Sequence, residues 1–381
     1  MLENHLRAKR IERRLSQKAL AQEVGLTRQA LYSIENNLYL PSTEISLRLA
    51  KALDCRVEDL FRLESGIDVI EADLLGSMPK SHFPARAHVA RVGERLIVKP
   101  AAMTGDLLNV MVPADGLILS SVSGKTRGKS LRKVPVQLLK DRQVIEESIV
   151  VAGCDPAMYL AAEHYRRYRE GASVIGWTMG SAAAVEALKR EEVHMAGLHL
   201  VDDRSGQSNV PYLRKHLHLD RYSVVRFAAW EQGFILGRGN PKRIRGIGDL
   251  ARRGVRLVNR EAGSGARELL EGLLVKAGLA GKLIRGYDVE VSSHIEVARA
   301  IVEGRADVGI AVGSAALLYD LAFLPLREEH YDLVIPNSYI KSHPSLTRFL
   351  EVLVSRAFRK EMEAFGGYDV KEIGKLVPTS Q

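Results

Sequence analysis

Between residues 6 and 61, apolar side chains return every three or four positions, and hydroxyls and a glycine stand where helices must start and stop. Leu6, Leu20, Ala21, Val24, Leu31, Ile34, Leu49, Leu53 and Leu60 carry this spacing. It places them on one face of each of several short helices. Ser16 occupies an N-cap position, where its hydroxyl can accept from an orphan backbone N–H. The helix it opens is expected over Gln17 to Val24. Gly25 can adopt the left-handed conformation that ends a helix. Thr27 then caps a further helix, from Arg28 to about Asn36. A stretch so punctuated reads as a compact helical unit.

Two helices joined by so tight a turn form a helix-turn-helix, whose second member lies in the DNA major groove. Residues 3 to 63 resemble the XRE family, the lambda-repressor/Cro type, with turn, second helix and the Ile34-Glu35-Asn36 exit in register. The resemblance implies that Thr27, Arg28, Gln29 and Tyr32 face base edges. It implies that Gln17, Asn36 and Asn37 face phosphates of a double-stranded operator. The chemistry agrees: Arg fits guanine and Gln fits adenine, both bidentate, and amides suit phosphate oxygens. Arg7, Lys9, Arg10, Arg13 and Arg14 form a basic run in the first helix. They could bind backbone phosphate or be an ordinary solvated face.

The chain has 381 residues, too long for one ordinary domain. Its net charge of +9 is spread along the chain, a mild basic bias compatible with DNA steering. Cys55 and Cys154 are the two cysteines, in different expected domains, so a structural disulfide is not expected, which suits a reducing cytosol. No cluster with metal-ligand spacing is visible, so neither a metal site nor a resident cofactor is expected. The polar N-terminus lacks the apolar core of a signal peptide, and no apolar run approaches the ~20 residues that span a bilayer. A cytoplasmic protein with no membrane partner is expected.

The period changes after the first domain, taken as 1–65. Ala87 to Val92 and Arg95 to Val98 alternate and read as a hairpin about Gly93-Glu94,. Leu107 to Val112, Gly116 to Ser120, Val134 to Leu138 and Ser148 to Val151 look like further strands. The basic loop Ser123 to Lys133 lies between them, either a solvated tip or a phosphate contact. Residues 66–150 are therefore either a small β-rich connector or an extension of the next domain's sheet.

From about residue 151 to 381 the pattern is strand, glycine-bearing turn, helix, repeated, which means parallel sheet flanked by helices. Strands are expected at Ile149–Cys154, Ser173–Trp177, His194–Leu200, Arg256–Asn259, Val289–Ser292 and Ala306–Val312. Asp155 and Pro156 read as N-cap and N1 of a helix through Tyr168. Blocks at about 153–220 and 242–315 suggest two lobes, with Tyr222–Leu236 and Leu317–Ile335 crossing between them. The residues Ala152-Gly153-Cys154-Asp155-Pro156, His194 to Leu200, Val258-Asn259-Arg260, Gly263-Ser264-Gly265-Ala266-Arg267 and Gly304 to Gly309 resemble the type II periplasmic-binding-protein superfamily. More closely, the whole chain resembles the bacterial group that fuses an XRE helix-turn-helix to a PBP-like domain related to molybdate- and tungstate-binding proteins. The fold class is thus multidomain: an all-α head, a β-rich connector and an α/β two-lobe part.

In open α/β sheets, ligands lie outside the carboxyl ends of the strands. The turn Arg260 to Arg267 puts glycines (Gly263, Gly265), a hydroxyl (Ser264) and two guanidiniums (Arg260, Arg267) at a helix N-terminus, which favours an anion. Gly180 and Ser181 offer the same geometry from the other lobe, and Ser292 and His294 open a third helix. Cys154 and Asp155 line the same end of the sheet, although the Asp155 carboxylate opposes an anion. The resemblance implies an oxyanion effector such as molybdate or tungstate. Ser181, Ser264 and Ser292 can equally be plain caps, Arg260 can pair with a nearby carboxylate, and Cys154 can be a buried apolar residue. A ligand-responsive regulator, dimeric on its operator, is the leading reading. A ligand-independent DNA-binding protein and a sensor of a non-anionic metabolite stand beside it. An enzyme is not expected, since Gly263-Ser264-Gly265 lacks the G-x-S-x-G spacing of a nucleophile elbow.

Overall fold

The computed structural model describes residues 2–63, 68–76, 83–101, 112–120, 132–167, 173–202 and 204–379. They form two compact units, Met1–Asp68 and Val69–Gln381.

In the first unit, helices α1 (Leu6–Glu12), α2 (Gln17–Val24), α3 (Arg28–Glu35), α4 (Thr43–Ala52) and α5 (Val57–Leu60) follow one another. Strand β1 (Leu2–Asn4) pairs antiparallel with β2 (Phe61–Leu63) and joins the unit's two ends. Leu6, Leu20, Leu31, Ile34, Leu49 and Leu60 make one core, each at most 1% exposed. The three- and four-residue spacing is thus a record of which face each helix buries.

The second unit begins with a closed barrel of β3 (Val69–Leu74), β4 (Ala85–Val92), β5 (Arg95–Pro100), β6 (Gly116–Ile118) and β7 (Arg132–Leu138), in the order β3-β5-β4-β6-β7. Closure leaves no free sheet edge, so this segment does not extend the next sheet. The hairpin at Gly93-Glu94 is present as β4 and β5. The strand expected at Leu107–Val112 lies outside the described residues except for Val112. The basic loop also lies outside them up to Leu131, while Arg132 and Lys133 begin β7. The expected strand Ser148–Val151 belongs to the next sheet.

That sheet has eight strands: β8 (Ile149–Gly153), β9 (Val174–Thr178), β10 (Met195–Leu198), β11 (Tyr222–Leu236), β12 (Leu257–Arg260), β13 (Glu290–Val291), β14 (Val308–Val312) and β15 (Ala322–Pro336). Their order is β13-β12-β14-β11-β15-β10-β8-β9. The two segments expected to cross between lobes are β11 and β15, 15 residues each, paired antiparallel along their length. On one side β8, β9 and β10 are parallel; on the other, β12, β13 and β14 are parallel. Their interior residues read as unbroken apolar runs, such as Ile149 to Ala152, because both faces of a parallel strand are covered,.

Register fixes where the two lobes meet. Leu198, the last residue of β10, lies opposite Asp332. Val312, the last residue of β14, lies opposite Gln232. The carboxyl ends of both parallel sets therefore point at the middle of the β11–β15 pair, near Trp230, Gln232, Glu329 and Tyr331. Helices α6 (Ala157–Arg166), α7 (Ser181–Lys189), α8 (Gly265–Lys276) and α9 (His294–Val302) start from those ends. Helix α6 stops at Arg166, and Tyr168 lies outside the described residues.

Candidate functional site

The first unit presents an exposed helix edge built by local capping. Ser16 Oγ accepts from Ala19 N at 3.1 Å, and Thr27 Oγ1 accepts from Ala30 N at 3.1 Å. Gly25 ends α2 with φ 73°, a left-handed value that costs a residue with a Cβ. Helix α3 buries Leu31, Ile34 and Glu35 and leaves Thr27, Arg28, Gln29 and Tyr32 exposed. Neither Arg28 nor Gln29 has an ion pair or side-chain hydrogen bond among the described residues. Asn36 and Asn37 are exposed just beyond. Asn36 Nδ2 donates to Tyr32 O at 2.8 Å, and Asn37 Oδ1 accepts from Asn4 Nδ2 at 2.9 Å.

One basic residue of the first helix is misjudged by the sequence reading. Arg10 is 8% exposed, and its guanidinium grips Glu35 at 2.6 and 3.1 Å and the Leu15 carbonyl at 2.8 Å. Gln17 Nε2 donates to the same carboxylate at 2.8 Å. Arg10 is thus spent inside the fold, where Glu35 compensates it and ties α1, α2 and α3 together. Lys9 pairs with Glu12, and Arg13 with Asp54. Arg7 and Arg14 are exposed.

In the second unit the lobes meet along a seam of small residues. Ala182 N donates to Gly263 O across it at 3.2 Å. A Cβ added to Gly265 would stand 2.2 Å from His199 O, and one on Gly180 2.9 Å from Glu261 Oε1. The seam thus closes backbone to backbone.

The polar groups named from sequence are gathered here, but most answer to protein partners. Arg260, 1% exposed, donates to Glu261 at 2.8 and 3.0 Å and to Ser292 O at 3.1 Å. Burial works against its charge, but Glu261 and Cys154 outweigh that and keep it protonated. Arg267 is committed within its own lobe, to Glu271 at 2.6 Å and Glu290 at 3.2 Å, with its guanidinium 4.2 Å from the Tyr287 ring. Ser264 caps α8 by accepting from Arg267 N and donates to Glu261 O. Ser181 Oγ accepts from His199 N at 3.2 Å. Ser293, not Ser292, caps α9; Ser292 is exposed and donates to Glu296 at 2.7 Å. Asp155 Oδ1 accepts from Ala157 N at 2.7 Å, and Tyr368 donates to the same carboxyl. Burial pushes Asp155 up to about 7, with those two hydrogen bonds opposing.

Beneath the seam lies a group that sequence inspection missed in part. Cys154 Sγ is 3.3 Å from His199 Nε2 and 3.4 Å from His294 Nε2. One ligand atom from each of the three lies within 4.8 Å of the others, so the set could hold a metal ion. No metal-ligand spacing is visible in the sequence because the three residues lie far apart along it; Cys154 and His294 stood out as cleft residues, while His199 was not singled out as one. His199 Nδ1 meets Glu329 Oε2 at 2.7 Å, and Glu329 is held by Arg327. Burial pulls His199 down, but Cys154 and Glu329 together push it to about 10. His294, fully buried and facing Arg260, is held well below its ordinary value. Gln232 Nε2 lies 3.5 Å from His199 Nδ1. Gln232 Oε1 and Trp230 Nε1 are buried with no hydrogen-bond partner among the described residues. Trp230 packs edge-on against both histidine rings and lines a cavity of about 390 Å³ with Gly313 and Tyr368. His199 belongs to the His194-to-Leu200 run and stands just past the end of β10, where a residue shows no partner until sheet order is known.

Comparison with known proteins agrees with this two-part architecture. A family described as a PBP superfamily domain matches residues 162–354, and one described as helix-turn-helix matches residues 6–60. The uncharacterized protein YvgK of Bacillus subtilis (strain 168) is 28% identical over 246 residues, covering 65% of this chain and 79% of YvgK. The uncharacterized HTH-type transcriptional regulator MJ0272 of Methanocaldococcus jannaschii is 33% identical over 63 residues, 16% of this chain and 96% of that protein. An ABC-type phosphate transport receptor from Vibrio cholerae superposes with a TM-score of 0.39 at 15% identity, covering 58% of this chain and 99% of the receptor. A likeness that weak bears on neither ligand nor partner. No helix among the described residues is long and apolar enough to cross a membrane.

Proposed function

Because the chain belongs to the PBP superfamily and carries a helix-turn-helix domain ahead of its PBP domain, we propose that it is a DNA-binding transcriptional regulator whose operator affinity responds to a small molecule gripped between the lobes. The observation that carries this reading is the exposed edge of α3. Thr27, Arg28, Gln29 and Tyr32 stand in water, and neither Arg28 nor Gln29 has a polar partner among the described residues. Those four read base edges, and Gln17, Asn36 and Asn37 lie along the phosphates. Gln17 does so with the second N–H of its side-chain amide, the first being given to Glu35,. The protein works in the cytoplasm as a homodimer on half-sites about one helical turn apart. The effector changes DNA affinity only by its differential affinity for the open and closed states.

The effector class implied by the resemblance is an oxyanion such as molybdate or tungstate, held where Gly180-Ser181 faces Arg260 and Gly263 to Arg267. The N–H groups that open α7 and α8 favour an anion there. To bind, it must take Arg260 from Glu261, and it meets Asp155 and Glu329 nearby. That density of carboxylates favours the second reading, a non-anionic metabolite.

A selected operator and a gel-shift titration test the regulator reading. Arg28→Ala or Gln29→Ala should relax preference at one base position by roughly 1–3 kcal/mol, with effector binding intact. Unchanged sequence preference in both variants would defeat the assignment of α3. A thermal-shift screen across molybdate, tungstate, sulfate, phosphate, amino acids and sugars separates the effector classes. No stabilisation by any of them would favour a ligand-independent DNA-binding protein that uses its PBP domain to dimerise.

A further inference from the structure

We propose that Cys154, His199 and His294 are the three protein ligands of a divalent first-row cation, Zn²⁺ in type, bound across the two lobes. This rests on the reading of the cleft as the effector site and names a chemistry for it. The donor set is one sulfur and two imidazole nitrogens, the ligands that zinc and its neighbours take. An ion about 2.3 Å from sulfur and about 2.0 Å from nitrogen, in tetrahedral geometry, holds those atoms about 3.5 Å apart. The two sulfur–nitrogen distances here are 3.3 and 3.4 Å. All three residues are buried, Cys154 at 5% exposure and both histidines at 0%.

The surroundings point the same way. A metal-bound histidine usually gives its other ring N–H to a carboxylate, which fixes the tautomer. His199 does this with Glu329 at 2.7 Å, leaving Nε2 free to face the sulfur. Gln232 sits beside His199 with a buried, unpartnered Oε1, an acceptor for a water or other ligand in the fourth position. Cys154 and His199 follow β8 and β10 in one lobe, and His294 opens α9 in the other. One ion would thus bolt lobe to lobe.

Binding shifts three protons: His199 keeps its Nδ1 proton on Glu329 and releases the one on Nε2 to solvent, since a metal-bound imidazole nitrogen is unprotonated. Cys154 loses its thiol proton to solvent, since the thiolate is the ligand. Arg260 Nη1 lies 3.3 Å from His294 Nδ1. When Nε2 takes the metal, the ring proton must sit on Nδ1, so Arg260 gives up this one contact and keeps Glu261 and Ser292 O.

The test is a Co²⁺ titration of the chelator-treated full-length protein, followed by absorption. Intense tetrahedral d–d bands and a sulfur-to-metal charge-transfer band are expected, both abolished by stoichiometric Zn²⁺. Cys154→Ser should remove the charge-transfer band, and Glu329→Gln should weaken Co²⁺ by roughly 10- to 100-fold while leaving that band in place at saturation. A weak octahedral spectrum in the wild type, or a charge-transfer band that survives Cys154→Ser, overturns the proposal; the first result does not depend on how any variant folds, since it uses the natural chain. Operator binding by the metal-free protein is measured separately. Its absence there and in the metal-loaded protein alike would defeat the regulator reading and leave the metal site standing.

Discussion

Arg28 and Arg260 have the same side chain, and both read from sequence as ligand-facing, Arg28 toward a base edge and Arg260 toward an anion, yet the two units treat them in opposite ways. Arg28 is exposed with no carboxylate partner among the described residues; Arg260 is 1% exposed and pairs with Glu261 at 2.8 Å. The difference follows from desolvation. A buried charge must be compensated inside the protein, so any cleft ligand competes with a carboxylate already in place. A surface charge is compensated by water and ions, so it can meet a base edge without first breaking an ion pair. Arg10 carries the lesson into the first unit, where burial again brings a carboxylate, Glu35.

The strongest way to break this contrast is Glu35→Ala. It strands a buried guanidinium, and about 3–5 kcal/mol should be lost in a urea melt of the full chain. The double change Arg10→Met, Glu35→Leu should recover most of it. A loss under about 1 kcal/mol for the single change would mean the pair behaves as a surface one.

Asp155→Asn probes the cleft by pH. The native carboxyl holds its proton up to about 7, while the unfolded chain releases it near 4. Stability from this group is therefore present at low pH and lost between about 4 and 7. Asn has no such loss, so the variant's advantage over the natural chain should grow by on the order of 3 kcal/mol from pH 4.5 to 8. His194, pulled by burial to about 3, works the opposite way between about 3 and 6.5, so the difference between the two proteins is the quantity to follow. An advantage that does not change with pH would place Asp155 in water.

Gly265→Ala sharpens the comparison of seams. Its new Cβ meets His199 O at 2.2 Å, so the lobes must part, costing about 1–3 kcal/mol in thermal melts. A melt like the natural chain's would mean the lobes do not press together there. The smallest effects come from two caps. Thr27→Ala, on an exposed helix, should cost about 1 kcal/mol. Ser264→Ala should cost more, because its buried hydroxyl also donates to Glu261 O. Equal losses would erase the distinction between exposed and buried helix starts.

Much of the fold is legible along the chain. Ser16, Thr27 and Ser264 each accept from the N–H three residues on, a relation that any reader of spacing can draw. The cleft is only partly legible. Arg260, Arg267 and Ser292 stand out near the mouths of helices, but that carboxylates already occupy them depends on Glu261, Glu271, Glu290 and Glu296, whose directions spacing does not encode. Glu329 lies within β15 and His199 just past the end of β10, where an apolar-run reading hides them.

What the sequence determined by itself is local: where helices begin, which face each buries, and that parallel strands alternate with helices around two lobes. These rest on bonds and contacts only a few residues apart. The tertiary structure alone decided which distant side chains share a volume. Cys154 meets His199 across 45 residues and His294 across 140, and Arg10 meets Glu35 across 25. Strand order and register bring them together, and those are set by the packing of whole sheets and cores.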